Sequence, residues 1–204
     1  MSYLKILAKI GLFSAVMTAL TVMAAAPGGK TAKPAEPAKS QTQTAVLAAG
    51  CFWGVEEFFR KTPGVVSTQV GYTGGDQANP TYPQVGSGRT GHAESVKIEY
   101  DPAKISYEDL LKLFFRMHDP TTLNRQGNDV GTQYRSEIFY TTEDQKKTAE
   151  KVMKLVDDSK KWKAPLTTKL EAAKTFYPAE EYHQKYLVKN PGGYDNHFLR
   201  QFSF

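Results

Sequence analysis

The chain has 204 residues, of which 40% are hydrophobic, 23% charged and 12% aromatic; this is one domain's worth of sequence, and it excludes a wholly disordered chain, a collagen and a polytopic membrane protein. The formal net charge of +5 sits in the N-terminal segment: Lys5 and Lys9 carry +2, Lys30, Lys33 and Lys39 against Glu36 carry +2, and residues 44–204 keep only +1. A near-neutral domain has no electrostatic grip on a phosphate backbone, so a nucleic-acid partner is not expected.

Residues 1–24 read as an export signal. Lys5 and Lys9 form a basic start, Ile10 to Leu20 runs apolar and small, and Val22-Met23-Ala24 ends as a cleavage site does. The apolar stretch is shorter than the ~20 residues of a comfortable span, which favours cleavage over an uncleaved anchor. The mature chain is then expected outside the cytoplasm, periplasmic or otherwise extracytoplasmic, with no stable membrane association. Residues 25–43 are rich in Pro, Ala, Lys, Gly, Thr and Gln, offer little to bury, and read as a disordered tether.

The folded domain is expected over residues 44–204. Thr44 to Ala49 is a short apolar run ended by Gly50, a buried strand. A helix follows from Phe52, with Val55, Phe58 and Phe59 on one face, and Pro63-Gly64 stops it. Val65 to Tyr72 and Glu94 to Tyr100 read as strands. Ser106 with Asp109 opens a helix whose stripe is Leu110, Leu111, Phe114 and Phe115, ending before Pro120. Ser136 to Thr141 is a strand, and Thr142 with Gln145 makes a second capping box ahead of a helix faced by Ala149, Val152, Met153 and Val156. Leu166 to Ala173 reads as a strand. Pro178, Glu180 and Glu181 fall in the first turn of a last helix that Asn190-Pro191-Gly192-Gly193 ends. Tyr194 to Phe204 shows no period. Alternating strands and helices predict one sheet with helices packed on it.

Cys51 is the only cysteine, which forbids a structural disulfide within the chain and any multi-cysteine metal site. It lies where an apolar strand meets a helix, so its sulfur faces unpaired N–H groups and a positive dipole end, which favour the thiolate. The competing reading is an inert buried cysteine. Phe52 and Trp53 follow at once, as core residues or as an apolar wall beside a nucleophile. No Gly-rich nucleotide loop and no metal-ligand spacing is present. Lys160-Lys161-Trp162-Lys163 reads as a solvated helix end.

The motifs then become specific. Gly50-Cys51-Phe52-Trp53-Gly54-Val55-Glu56 resembles the active-site motif of A-type peptide methionine sulfoxide reductases. The resemblance continues in order through Val70–Gly75, Asn79–Tyr82, Gly91–Glu94, His118–Thr121, Arg125–Ser136 and Phe176–Leu187, and covers residues 44–191. It implies an α+β fold: a two-layer α/β sandwich with a ferredoxin-like mixed sheet and helices packed on it. It also implies a reaction on protein- or peptide-bound methionine sulfoxide, of the S epimer, that leaves Cys51 as a sulfenic acid. Under it Cys51 is the nucleophile and Glu94 supplies a proton, which requires desolvation to raise its pKa. Tyr82 and Tyr134 bond the sulfoxide oxygen, Phe52 and Trp53 hold the methyl group, and Asp129 lies in the substrate site.

The resemblance implies no prosthetic group and no metal, but an external thiol reductant such as a thioredoxin-like protein, and a monomer. The chain departs from the family in its tail. Many relatives carry further cysteines there, one of which attacks the sulfenic acid; here the tail reads Gly192-Gly193-Tyr194-Asp195-Asn196-His197. Gly86 also stands where some relatives have cysteine. Two other functions remain open on the residues alone: a cysteine hydrolase pairing Cys51 with His92, His118, His183 or His197, and a non-catalytic binding module displaying an aromatic pocket.

Overall fold

The computed structural model describes residues 41–204. The export signal, and the tether up to residue 40, lie outside the described residues.

The chain begins its sheet at β1 (Gln43–Ala49), whose last five residues are buried. Next come α1 (Phe52–Arg60), β2 (Val65–Thr73), α2 (Tyr82–Gly86), β3 (Ala93–Tyr100) and α3 (Tyr107–Met117). A small hairpin follows, β4 (Arg125–Gln126) with β5 (Asp129–Val130), then a 3-10 turn at Thr132–Tyr134 and β6 (Ser136–Tyr140). The chain continues through α4 (Glu143–Ser159), β7 (Lys169–Ala172), β8 (Tyr177–Pro178) and α5 (Tyr186–Lys189).

The main sheet has six strands in the order β7-β6-β1-β3-β2-β8. Its centre, β6-β1-β3-β2, is antiparallel throughout and is built by a β1-α1-β2-β3-α3-β6 path, the ferredoxin-like arrangement. β7 joins β6 in parallel after the α4 crossover, which makes the sheet mixed. The α1, α3 and α4 side chains Phe52, Val55, Phe59, Leu110, Leu111, Phe114, Ala149 and Val152 share one core with Ala45, Leu47, Val96 and Ile98 of the sheet. All three helices therefore cover the same face. The alternate residues Val46, Ala48, Ala93 and Phe139 form a smaller cluster on the other.

Local chemistry sets the boundaries. Ser106 Oγ accepts the Asp109 N–H at 3.0 Å and starts α3. Thr142 Oγ accepts the Gln145 N–H at 3.2 Å and starts α4. The reciprocal half of that expected box is displaced by one residue. Gln145 Oε1 accepts from Thr141 N, and its amide reaches Thr44 O at 2.6 Å, tying the helix start to β1.

Two predicted elements differ. The strand expected over 166–173 is shorter, because Leu166 N bonds Asp157 and Thr167 N bonds Pro120 O, outside the sheet. The helix expected from Pro178 is replaced by an edge strand and turns. Tyr177–Pro178 pairs with Tyr72 and Gly71 at the end of β2. The Gln184 side chain then bonds both N and O of Val70, at 3.0 and 2.9 Å, and pulls the chain along that edge. Helix resumes only at Tyr186, after Lys185 at φ 51°. The short α2 had no sequence forecast, since five residues around Pro83 show no period. Among the described residues no helix is long and apolar enough to cross a membrane.

Candidate active site

Cys51 is the residue before α1, at the open end of β1, and its thiol is free and buried. Gly50 makes the turn between them at φ 97°, a conformation that strains any residue with a Cβ. The backbone N–H groups of Trp53 and Gly54 point at the sulfur, as the helix-start position predicts. They do not produce a thiolate. Burial first, then the charge that Glu94 carries when ionised and the charge of Asp129, push the Cys51 thiol up and outweigh the two N–H groups. Burial thus opposes the ionisation that the helix-start position favours.

Glu94 lies near the start of β3 and is 2% exposed. Its Oε2 accepts the N–H of Phe52 at 3.0 Å, which fixes the carboxyl beside the residue that follows the cysteine. Burial is the main cause that pushes its pKa up to about 8, with the charge of Asp129 acting the same way against the Phe52 N–H. The carboxyl is therefore mostly protonated at neutral pH.

Two phenols share this environment. Tyr82, at the first position of α2, is pushed up to about 12 by burial, then by the charges of Glu94 and Cys51. Tyr134, closing the 3-10 turn, is pushed up by burial, Glu94, Tyr82, Asp129 and Cys51. Both remain hydroxyl donors across the physiological range.

Phe52 and Trp53 differ in burial. Phe52 is 1% exposed and packs in the core against Tyr72, with ring centroids 5.8 Å apart. Trp53 is only partly buried. Its indole stacks on Tyr186 at 3.7 Å and 10°, and its N–H donates to His183 Nδ1 at 2.9 Å. Asp129, on β5, accepts from the Asn196 amide at 3.0 Å.

The tail completes the arrangement, and the sequence offered no sign of it. Asn196 Nδ2 also donates to Gln126 O at 2.9 Å and meets the Tyr194 hydroxyl at 3.0 Å. The Tyr194 phenol is raised by burial and by the charge of Asp129, and it also senses Cys51. His197 Nε2 bonds Ala49 O at 2.7 Å. A Cβ on Gly54 would run into Asp195 and His197, so that glycine lets the tail lie against the start of α1. Glu180 and His183, from a segment expected to be helical, also converge here.

The histidines do not pair with Cys51. His92 bonds Gly75 N and Gln77 O, His118 bonds Phe114 O and Ser136 Oγ, and His197 bonds Ala49 O and Asp195. His183 holds Trp53. A buried thiol beside a protonated carboxyl and two phenols suits proton delivery to an electronegative oxygen, not the base-assisted attack of a cysteine hydrolase. Among the described residues no group of three or more His, Cys, Asp or Glu is placed to hold a metal ion.

Comparison with known proteins agrees with this chemistry. The family model described as peptide methionine sulfoxide reductase matches residues 43–203. A peptide methionine sulfoxide reductase MsrA of Mesorhizobium japonicum is 52% identical over 161 residues, 79% of this chain and 91% of that protein. The crystal structure of reduced Mxr1 from Saccharomyces cerevisiae superposes with TM-score 0.75 at 39% identity, over 80% of this chain and 94% of that one. Mxr1 in complex with Trx2 superposes with TM-score 0.55 at 28% identity, over 84% and 97%.

Proposed function

The chain belongs to the peptide methionine sulfoxide reductase family, and on that premise we propose how its residues divide the work. The protein is an enzyme that reduces methionine sulfoxide to methionine, with electrons from external thiols rather than a prosthetic group. The observation that carries the assignment of roles is the Glu94–Phe52 N–H bond, which sets a protonated carboxyl next to the Cys51 thiol.

The sulfoxide enters with its oxygen toward Glu94, Tyr82 and Tyr134 and its methyl group toward Phe52 and Trp53. Asp129, with Asn196 holding it, borders the same space. The Glu94 proton passes to the sulfoxide oxygen, which makes the sulfur electrophilic. Cys51 attacks that sulfur, and its own proton returns to the carboxyl. The oxygen, now a hydroxyl, passes from the substrate sulfur to Cys51 Sγ as the S–O bond and the new sulfur–sulfur bond both break, so methionine leaves and Cys51 is left as a sulfenic acid. Two electrons have moved from the cysteine sulfur to the substrate sulfur.

The enzyme has no second cysteine, so an external thiol condenses with the sulfenic acid, releasing water and leaving a mixed disulfide. A second thiol then frees Cys51. The Trx2 complex of a structural neighbour supports a thioredoxin-like donor. The N-terminal sequence pattern supports action outside the cytoplasm, and a monomer is our reading of the mature chain. Cell fractionation and sizing of the mature chain test those two points.

The deciding assay offers each pure epimer of a methionine sulfoxide peptide with excess dithiol. Methionine from the S epimer alone is the expected result. Methionine from neither epimer refutes the reading.

A further inference from the structure

Three residues beside Tyr134 take no part in the steps above. Thr132 and Gln133 precede the phenol in the 3-10 turn, and Arg135 follows it, just before β6. Each reaches the same stretch of chain, residues 86–91. Thr132 Oγ donates to Gly88 O at 2.9 Å, and Gln133 Nε2 donates to Gly86 O at 3.2 Å. Arg135 Nη2 donates to Gly91 O at 3.1 Å. That stretch joins α2, which begins at Tyr82, to β3, which carries Glu94. The turn that carries one proton-bearing group therefore grips the connection between the other two.

Arg135 is the central member of this grip and is 7% exposed. Its Nε donates to Glu137 Oε2 at 2.5 Å and its Nη1 to Thr132 O at 2.9 Å. One planar guanidinium thus bonds β6, the 3-10 turn and the approach to β3, each in a different direction. Glu137 is fully buried, and its other carboxyl oxygen has no hydrogen-bond partner, so the carboxyl bonds Arg135 alone. A Cβ on Gly74 would come within 2.6 Å of Nη2 and 3.0 Å of the Phe139 ring, so that glycine makes room for the guanidinium.

We propose that Arg135, seated by Glu137, is a positioning residue for the proton donors: its guanidinium bridges Thr132 O and Gly91 O and so sets the spacing of Tyr134 and Glu94 around the sulfoxide oxygen. This rests on the reading that those two groups meet that oxygen. His92 ties the loop before β3 to Gly75 N and Gln77 O on its other side. What the guanidinium adds is therefore the distance from that loop to the Tyr134 turn, not the existence of the loop.

A merely stabilising ion pair acts on folding, whereas a positioning pair acts on the geometry of reaction. Misplacing reacting groups by about 1 Å costs on the order of 10²-fold in rate. Trp53 and Asp129 stand on α1 and β5, so substrate binding should not share that loss.

Arg135→Lys keeps a positive charge for Glu137 but presents one compact donor where a fork is needed. Single-turnover reduction of a methionine sulfoxide peptide should fall about a hundredfold, with half-saturation unchanged. The solvent deuterium isotope effect on that turnover should rise, because proton delivery becomes the slow step. Arg135→Ala removes the guanidinium from beside a cavity lined in part by Gly74, Gly91 and Thr132. Guanidinium ion, far below denaturing concentrations, should restore much of the rate to that variant. Urea has the planar shape without the charge, methylammonium has the charge without the fork, and neither should do so. The amide resonance of Phe52, which donates to Glu94, and the ring resonances of Tyr134 should follow the same order without any turnover.

A loss carried by half-saturation, a rate loss below about threefold in Arg135→Lys, or an unchanged isotope effect overturns the proposal. So does rescue of Arg135→Ala by all three solutes alike, or by none. If the Ala variant fails to fold, the rate and isotope effect of Arg135→Lys decide. Resonances that behave as stated in a native protein that reduces no sulfoxide would refute the functional reading and leave the clamp intact.

Discussion

Glu94→Gln is expected to make the protein more stable and nearly inactive. Glu94 is 2% exposed and its carboxyl is pushed up to about 8, mainly by burial. In an unfolded chain a glutamate titrates near ~4.3. The folded value lies above the unfolded one, so the proton favours the folded state. That contribution is complete below pH ~4.3 and is lost as pH rises toward the folded value. Each unit in that window is worth about 1.4 kcal/mol, so by pH 7 the native protein has given up on the order of 3 kcal/mol. Glutamine never ionises and keeps an oxygen for the Phe52 N–H. The stability of the variant minus that of the native protein should therefore grow by roughly this amount between pH 4 and 7, then stop growing above about pH 8. Urea unfolding of both proteins, fully reduced, at five pH values measures it. Single-turnover reduction should fall ~10²–10⁴-fold, and the native alkaline limb near pH 8 should vanish. A pH-independent stability difference, or a rate loss below about threefold, refutes the proton-donor argument.

Cys51→Ser should keep a native-like melting curve, because one buried sulfur is exchanged for an oxygen, and lose all sulfoxide reduction; residual turnover would remove the mechanism. Trp53→Ala should weaken peptide sulfoxide reduction more than it slows Cys51 alkylation by a small reagent, and equal losses would mean that the ring only supports the start of α1. Its melting temperature must be followed too, since removing a buried Trp costs ~3–5 kcal/mol and Trp53 is only partly buried. A sulfoxide pulse without thiol should yield close to one methionine per enzyme and leave one added oxygen on the intact mass; sustained turnover would contradict the absence of a resolving cysteine.

Periodicity and caps carried most of the fold. The stripe of α3 and its Ser106 cap were legible because both are local, as were the alternation along β3 and the Gly50 stop after β1. The last third was less so. Pro178, Glu180 and Glu181 look like a helix start, but Glu180 is committed to Tyr82 and Tyr72, far away in sequence, and Gln184 to Val70. Those bonds outbid a local helix. Cys51 shows the same limit in its chemistry. Position at a helix start is visible in sequence, whereas the desolvation that dominates its pKa depends on the assembled core. The motif words led to Cys51, Glu94, Tyr82, Tyr134 and Asp129. Tyr194 and Asn196 carried no period or pattern, and they reach the site only through tertiary contacts.

The tail from Tyr194 to His197 is tied to Asp129, Gln126 and Ala49 by hydrogen bonds and lies against Gly54. A cysteine carried on such a segment would meet the sulfenic acid at an effective concentration of order millimolar, independent of the surroundings. Without one, the segment has no chemical reason to leave its seat, and recovery of the enzyme becomes a bimolecular event. Its rate rises and falls with whatever thiol the compartment holds. When reductant is scarce, repair stalls at the oxidised enzyme, with Cys51 holding the last oxygen removed. The steady-state fraction of oxidised enzyme then follows the balance between damaged methionine and available reducing power.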